Sequence, residues 1–267
     1  MFWFAFNLVT ASSPIPSLPP RVSLLGFPID CVTQRQTLDH IAASIRAGHG
    51  GWVLTPNLDI LRRVTSEPET RALVDATTLR TADGMPLIWA SRLKGTPLPE
   101  RVTGSDLIFS LTQRAAQDGF GVYLLGGDPG VGDQAAAKLR ELFPQLIIAG
   151  VESPPFGFEK DDAYMAAMRA RVVAAKPDIV YVAVGFPKQE RVIAHLRPAM
   201  PKAWFLGIGI SFSFVTGHVQ RAPKLVQKLG LEWVHRMAQE PGRLAKRYLV
   251  HGIPFALKLL VLSALRR

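Results

Sequence analysis

Short apolar runs alternate with amphipathic stretches over the first four-fifths of the chain, and that alternation predicts the fold. Apolar runs at Val22–Phe27, Trp52–Thr55, Leu79–Ala82, Gly121–Leu125, Leu146–Ala149, Ile179–Val184 and Ala203–Ile208 predict strands. Many are apolar on both faces, as buried parallel strands are. Between them, periodic stretches at Thr37–Ala47, Leu58–Thr65, Met85–Arg92, Ser105–Gln117, Val131–Phe143 and Ala163–Ala175 predict helices. Strand–helix alternation gives βαβ units, and hence a Rossmann-like, doubly wound, mostly parallel α/β sheet. Ligands of such sheets bind beyond the carboxyl ends of the strands. From Arg221 the strand pattern stops. The rest of the chain reads as helix broken at Gly230, Pro241 and Gly252–Pro254. The chain thus divides into a leader over 1–20, an α/β domain over 21–220 and a helical appendage over 221–267.

Charge changes this picture at one place. The net charge is +10, and +8 of it lies between Arg221 and Arg267, where ten Lys/Arg face two Glu. A basic segment of this kind points to phosphates on a lipid, a nucleotide or a nucleic acid. Its last stretch, "PFALKLLVLSAL", is too apolar for a solvated nucleic-acid arm. It reads instead as a helix lying along a membrane interface, too short and too charged at Lys258 to span one. Lys258, Arg266 and Arg267 would then face anionic headgroups. The leader pairs an apolar "MFWFAFNLVT" with a Pro/Ser stretch and has no Lys or Arg before Arg21. It is a poor secretory signal. It reads as disordered, as loosely membrane-touching, or as an over-long start. The single cysteine, Cys31, excludes an internal disulfide and suits a reducing compartment. The six histidines have no metal-ligand spacing, and neither Asp-x-Asp nor a serine-hydrolase motif occurs.

Candidate chemistry sits at the strand ends. Thr55-Pro56-Asn57 closes one strand, so Asn57 either caps the next helix or presents its amide to a ligand. Asp83 follows another strand and precedes Gly84. It is either an N-cap or a general base able to take a proton from an attacking hydroxyl. In "ERVTGSDL", Ser105 and Asp106 either start a helix, or the stretch lines the substrate pocket through Gly104 and Asp106, with Arg101 as a phosphate clamp. The Gly126-Gly127 loop is either a tight turn or a phosphate cradle built from backbone N–H groups. In "VGFPKQE", Gln189 and Glu190 are first-turn helix residues that could bond a base or ribose.

Taken in order, these stretches resemble a known family. "TPNLDIL", "ADGMPLIWASRLKG", "ERVTGSDL", "LLGGDPGV", "VGFPKQE", "GHVQRAP" and "GLEWVHRMAQEPGRLAKRYL" are similar to motifs of the WecB/TagA/CpsF glycosyltransferases, from about Val22 to Pro254. The resemblance implies an inverting transfer of a sugar from a UDP-sugar donor to a saccharide on polyprenyl (undecaprenyl) diphosphate, forming a β-linkage. It implies no metal and no other cofactor. The setting would be the cytoplasmic face of the bacterial plasma membrane, in teichoic acid, enterobacterial common antigen or exopolysaccharide synthesis. Asp83 matches the family's general base and Thr55 its partner. Asn57, Arg101 and Gln189 match pocket residues. Arg236 and Arg243, with Lys246 or Arg247 as a third, match arginines that grip the acceptor's diphosphate. Members of the family often associate, so a homo-oligomer is a further possibility. One departure stands out: the family's Gly-Gly-x-Phe-Asp-Phe is Gly209-Ile210-Ser211-Phe212-Ser213-Phe214 here, so Ser213 replaces an Asp. The donor sugar therefore stays open between N-acetylmannosamine, its uronic acid and glucose. The rival readings are a non-catalytic nucleotide-binding protein with a membrane-docking tail, and a nucleic-acid-binding module.

Overall fold

A computed structural model describes residues 14–265, the side chains of Lys224, Lys228 and Arg243 excepted. Leader residues 1–13, Arg266 and Arg267 lie outside the described residues. Within them, two short strands form a hairpin, β1 (Arg21–Leu24) and β2 (Phe27–Asp30). Six more build the main sheet: β3 (Gly51–Leu54), β4 (Leu79–Arg80), β5 (Gly121–Gly126), β6 (Ile147–Glu152), β7 (Ile179–Ala183) and β8 (Trp204–Gly207). Their order is β4-β3-β8-β7-β5-β6, and every pairing is parallel. β3, β7 and β8 are buried at every position, in keeping with their unbroken apolar runs. The chain diverges between β5, from which it runs outward to β6, and β7, from which it runs inward to β8. That divergence opens a crevice at the strands' carboxyl ends.

One strand expectation needs correction. Val22–Phe27 is not a single strand, because Leu25 (φ 49°) and Gly26 (φ 82°) both adopt left-handed backbone. Two such residues make the tight turn that reverses a two-residue hairpin. The hairpin is tied to the sheet through Asp30, which accepts from Arg21 Nε (2.8 Å) and from the Arg80 backbone N–H (2.7 Å). Ahead of it, His40 Nδ1 lies 3.1 Å from the Pro16 carbonyl, and Leu18 packs against the main core.

The helices that position the site are α1 (Gln34–Arg46), α2 (Leu58–Ser66), α3 (Pro68–Val74), α4 (Met85–Leu93), α5 (Gly104–Asp118), α6 (Val131–Leu142), α7 (Asp162–Ala175), α8 (Lys188–Leu196) and α9 (Ser211–Thr216). The appendage adds α10 (Lys224–Lys228), α11 (Glu232–Gln239), α12 (Pro241–Ala245), a π-helical turn (Lys246–Gly252) and α13 (Ile253–Leu265). The break between α10 and α11 is Gly230, at φ 73°. A Cβ there would come within 2.8 Å of the Trp89 ring and 2.9 Å of Met85 Cβ, so glycine serves both the turn and the close seat on α4.

The expected break at Gly252–Pro254 does not occur. The π turn widens the helix there, and a proline needs no partner for the N–H it lacks, so the chain passes into α13 unbroken. Lys246–Leu265 is therefore a 20-residue helix, long and apolar enough to cross a membrane by length and composition, which corrects the reading of a stretch too short to do so. Here it packs along the body: Phe255, Leu259 and Ser263 form its inner edge, with Leu259 in one cluster with Leu87 and Ile88 of α4. Its outer edge is also apolar. Leu249, Ile253, Leu257, Val261 and Leu265 recur every fourth residue and are all exposed. An exposed stripe of this length is an uncovered interaction surface.

Candidate active site

The ends of β3 and β4 are stitched together, and Asp83 hangs from the seam. Thr81 N–H donates to the Leu54 carbonyl (3.0 Å) and Asp83 N–H to that of Pro56 (2.9 Å). The N-cap of α4 is Gly84, at φ 142°, so the Asp83 carboxylate is not spent on capping. It lies at the base of a cavity of about 440 Å³ between the α/β body and the appendage, enclosed by protein yet touching the open space. Burial pushes this carboxyl up to about 7; Arg101 opposes the rise, Glu232 and Asp106 reinforce it, and the Gly104 N–H bonds the ionised form. A carboxylate poised near neutrality at the floor of a cleft has the properties of a general base.

Asn57 caps α2: its Oδ1 accepts from Asp59 and Ile60 N–H, each at 3.0 Å, and the residue also lines the cavity. The helix start expected at Ser105 and Asp106 is the first turn of α5, which begins at Gly104 and is capped by Thr103. Thr103 Oγ1 accepts the Asp106 N–H (3.0 Å), and the Asp106 carboxylate accepts the Thr103 hydroxyl (2.8 Å). Gly104 then starts the helix against the end of β8, where a methyl on it would meet Thr55 Oγ1 at 3.5 Å. Thr55 is thus buried behind Gly104 rather than on the cavity wall.

The appendage supplies the opposite wall. Arg101, anticipated as a phosphate clamp, instead donates to two appendage residues: Glu232 Oε2 (2.7 Å) and Gln227 Oε1 (3.0 Å). Arg221 bonds Asp106 (2.6 Å) and lies 3.6 Å from Glu232. Arg247 faces the cavity and pairs with Asp59 of α2 at 3.3 Å. Arg236 also faces the cavity, its guanidinium 5.9 Å from the Phe214 ring centre, and its buried Nε has no hydrogen-bond partner among the described residues. The side chain of Arg243 lies outside the described residues.

A second group of candidates sits further along the sheet, at the β5/β7 crevice. Gly126, at φ 112°, is forced by close packing: a Cβ would lie 2.6 Å from the Ala183 carbonyl. Gly127 N–H donates to that same carbonyl (2.9 Å), and α6 begins at Gly130 without a side-chain cap. Gln189 and Glu190, expected as direct ligand contacts, are buried in the first turn of α8. Gln189 accepts from Gly209 N–H (3.0 Å) and donates to Glu190 (2.9 Å), so its amide is held by the protein. Glu190 has no exposed surface, and burial pushes its carboxyl up to about 8. It is therefore out of reach of a ligand, because the α8–sheet interface covers it. Ser213 lies on α9, the helix whose Phe212 packs against Gly127.

The structure thus joins Asn57, Asp83, Arg101, Arg236 and Arg247 around one cavity. Gly126, Gly127, Gln189 and Glu190 stand apart, at the crevice. Sequence reasoning missed Glu232, Gln227 and Asp59. Glu232 did carry a signal, being one of two acids in a stretch with ten basic residues. Among the described residues no three His, Cys, Asp or Glu side chains converge as a metal site would need. A near-neutral carboxylate, three arginines (Arg101, Arg236 and Arg247) facing three acids around one cavity, and a doubly wound sheet are compatible with glycosyl transfer from an activated donor to a sugar acceptor. They agree with the comparison against family models, in which the glycosyl transferase WecG/TagA/CpsF family matches residues 22–267: the chain belongs to that family of glycosyltransferases.

Proposed function

We propose that the protein is an inverting glycosyltransferase that moves a sugar from a UDP-sugar to a saccharide on polyprenyl diphosphate, at the cytoplasmic membrane surface. The observation that carries this reading is the single cavity of Asp83, Arg236 and Arg247, closed jointly by body and appendage. The crevice beside Gly126 and Gly127 is the natural seat of the UDP, because α6 starts there with no side-chain cap and its first-turn N–H groups can meet phosphate. In the transfer, the acceptor hydroxyl loses its proton to Asp83 as its oxygen bonds the anomeric carbon. The bond from that carbon to the β-phosphate oxygen breaks on the opposite face, and UDP leaves with the electron pair. One displacement inverts the anomeric centre and yields a β-linkage from an α-linked donor. Backbone N–H groups and arginines stabilise the growing phosphate charge. Arg236 and Arg247 grip the acceptor diphosphate by charge-assisted hydrogen bonds.

The outer stripe of the last helix supports a lipid-surface setting for this cavity. Leu257 and Ile253 line the cavity mouth and also belong to the exposed stripe, so an acceptor anchored in the bilayer would reach Asp83 without leaving it. The test is a transfer assay with a panel of UDP-sugars and a synthetic polyprenyl-diphosphate monosaccharide in EDTA, read by mass spectrometry. A disaccharide-lipid establishes the reaction and names the donor. UDP binding without any product across the panel overturns the reading in favour of a nucleotide-binding protein.

A further inference from the structure

The appendage brings an acid, as well as cations, into the site. Arg101 of the body and Arg221, at the start of the appendage, meet Asp106 of α5 and Glu232 of α11 in one compact cluster beside Asp83. Its contacts are 2.7 Å (Arg101–Glu232), 2.6 Å (Arg221–Asp106), 3.6 Å (Arg221–Glu232) and 3.9 Å (Arg101–Asp106). Two cations face two anions, so the cluster is neutral as it stands. All four side chains are at most 30% exposed. At that depth the balance of charge is felt by neighbours more strongly than it would be in water. Remove Glu232 and the cluster carries one net positive charge, with the Arg101 guanidinium released from its strongest partner next to Asp83.

We propose that Glu232 is a positioning residue for the transfer: it holds Arg101 away from Asp83, so that Asp83 is a competent base only with the appendage seated. This rests on the proposed role of Asp83 as the base. The charged groups around Asp83 are Asp59 of α2, Arg101, Asp106 of α5, Arg221, Arg236 of α11 and Arg247 of the π turn, with Glu232 itself. Among them Glu232 and Asp106 raise the proton affinity of Asp83, and Arg101 lowers it. Asp106 stays with the body. Glu232 is therefore the acid whose presence depends on the appendage. A base loses strength when an arginine pairs with it, because its proton affinity falls with the gain in ionised stability.

The test is Glu232→Gln in the full chain, which keeps the side-chain shape and removes the charge that pairs with Arg101. The acidic limb of kcat/KM against pH is expected to move down by at least about half a pH unit, a factor of about three in proton affinity, with a lower plateau rate. Gln227→Ala, which removes the uncharged partner of the same guanidinium, is expected to leave the limb where it is, whatever it does to the rate. Glu232→Gln combined with Arg221→Gln restores the cluster's charge balance and is expected to return the limb toward its original position. A limb unmoved in Glu232→Gln, moved equally by Gln227→Ala, or not returned by the double variant overturns the proposal. The ¹³C shift of the Asp83 carboxyl, assigned with Asp83→Asn, gives the same titration without turnover. A protein that transfers no sugar but shows the Glu232-dependent shift would refute the transferase reading and keep the electrostatic coupling.

Discussion

Asp83→Asn separates catalysis from stability in a way few substitutions do. The native carboxyl titrates near 7, about three units above an ordinary aspartate, because folding removes it from water. At about 1.36 kcal/mol per unit, holding it ionised in the folded protein costs about 4 kcal/mol at alkaline pH. The sign follows from linkage. The folded state binds the proton more tightly, so the cost is absent below the unfolded pKa near 4. It grows as pH rises to about 7 and is constant above. Asparagine keeps the shape and the acceptor for the Gly104 N–H, and it never ionises. Asp83→Asn is therefore expected to match the parent in Tm at pH 4 and exceed it at pH 8, by several degrees at about 2–4 °C per kcal/mol. Transfer should fall about 100- to 10,000-fold, the loss typical of a missing general base, with UDP affinity unchanged. The assay is Tm by differential scanning calorimetry at both pH values beside single-turnover transfer. In the parent, kcat/KM should rise with pH through about 7. Full activity in Asp83→Asn, or a Tm difference that does not grow between pH 4 and 8, refutes the reasoning.

Other consequences are open to simpler measurements. Arg236→Ala removes charge-assisted bonds worth about 1.5–3 kcal/mol, so kcat/KM for the diphosphate-linked acceptor should drop about 10- to 150-fold while UDP affinity, by calorimetry, holds. Leu257→Asp on the outer stripe should leave circular dichroism and Tm unchanged and abolish sedimentation with anionic vesicles. Leu259→Ala on the inner edge should cost about 2–5 kcal/mol in urea unfolding, since that side chain has no exposed surface. Glu190, held protonated by burial, should make Glu190→Gln progressively more stable than the parent from about pH 4 to about 8, with no further gain above.

The sheet was legible because buried parallel strands leave uninterrupted apolar runs, and β3, β7 and β8 are such runs. The hairpin was not. Leu25-Gly26 extends an apolar stretch, and only the left-handed backbone at both residues reverses it. The continuous C-terminal helix was missed for the opposite reason: Gly252 and Pro254 are breakers in isolation, and the π turn that carries the chain past them leaves no mark in residue type. Strand-end positions such as Asp83 and Asn57 could be named because the topology places every strand's carboxyl end on one rim. Which of two jobs each performs could not. Asp83 escapes capping only because Gly84 takes the cap position, and Glu190 is removed from ligand reach only by the α8–sheet interface.

Net charge shows the same limit, and the geometry carries the argument further. Ten basic residues in the appendage suggest an abundance of phosphate ligands, yet several of those near the site already have carboxylate partners. Arg221 bonds Asp106, Arg247 pairs with Asp59, and Arg101 of the body is spent on Glu232 and Gln227. Arg236 differs. Arg221 also has buried nitrogens without a hydrogen-bond partner among the described residues, but it is anchored to Asp106 and does not line the cavity. Arg236, with its buried Nε unpartnered among the described residues, faces the cavity against the Phe214 ring. Arg247 Nε also falls short of hydrogen-bond geometry, but a carboxylate oxygen stands 3.3 Å from it. A buried donor without an acceptor costs free energy unless a ligand supplies one. An acceptor diphosphate meets Arg236 at little cost. It meets Arg247 only by competing with that carboxylate. Arg236→Ala should therefore weaken acceptor use more than Arg247→Ala does. Asp59→Asn, which releases Arg247, should strengthen it. Equal losses from the two arginine variants, with no gain from Asp59→Asn, would mean that the appendage repacks when substrate arrives and that its resting pairings do not rank its arginines.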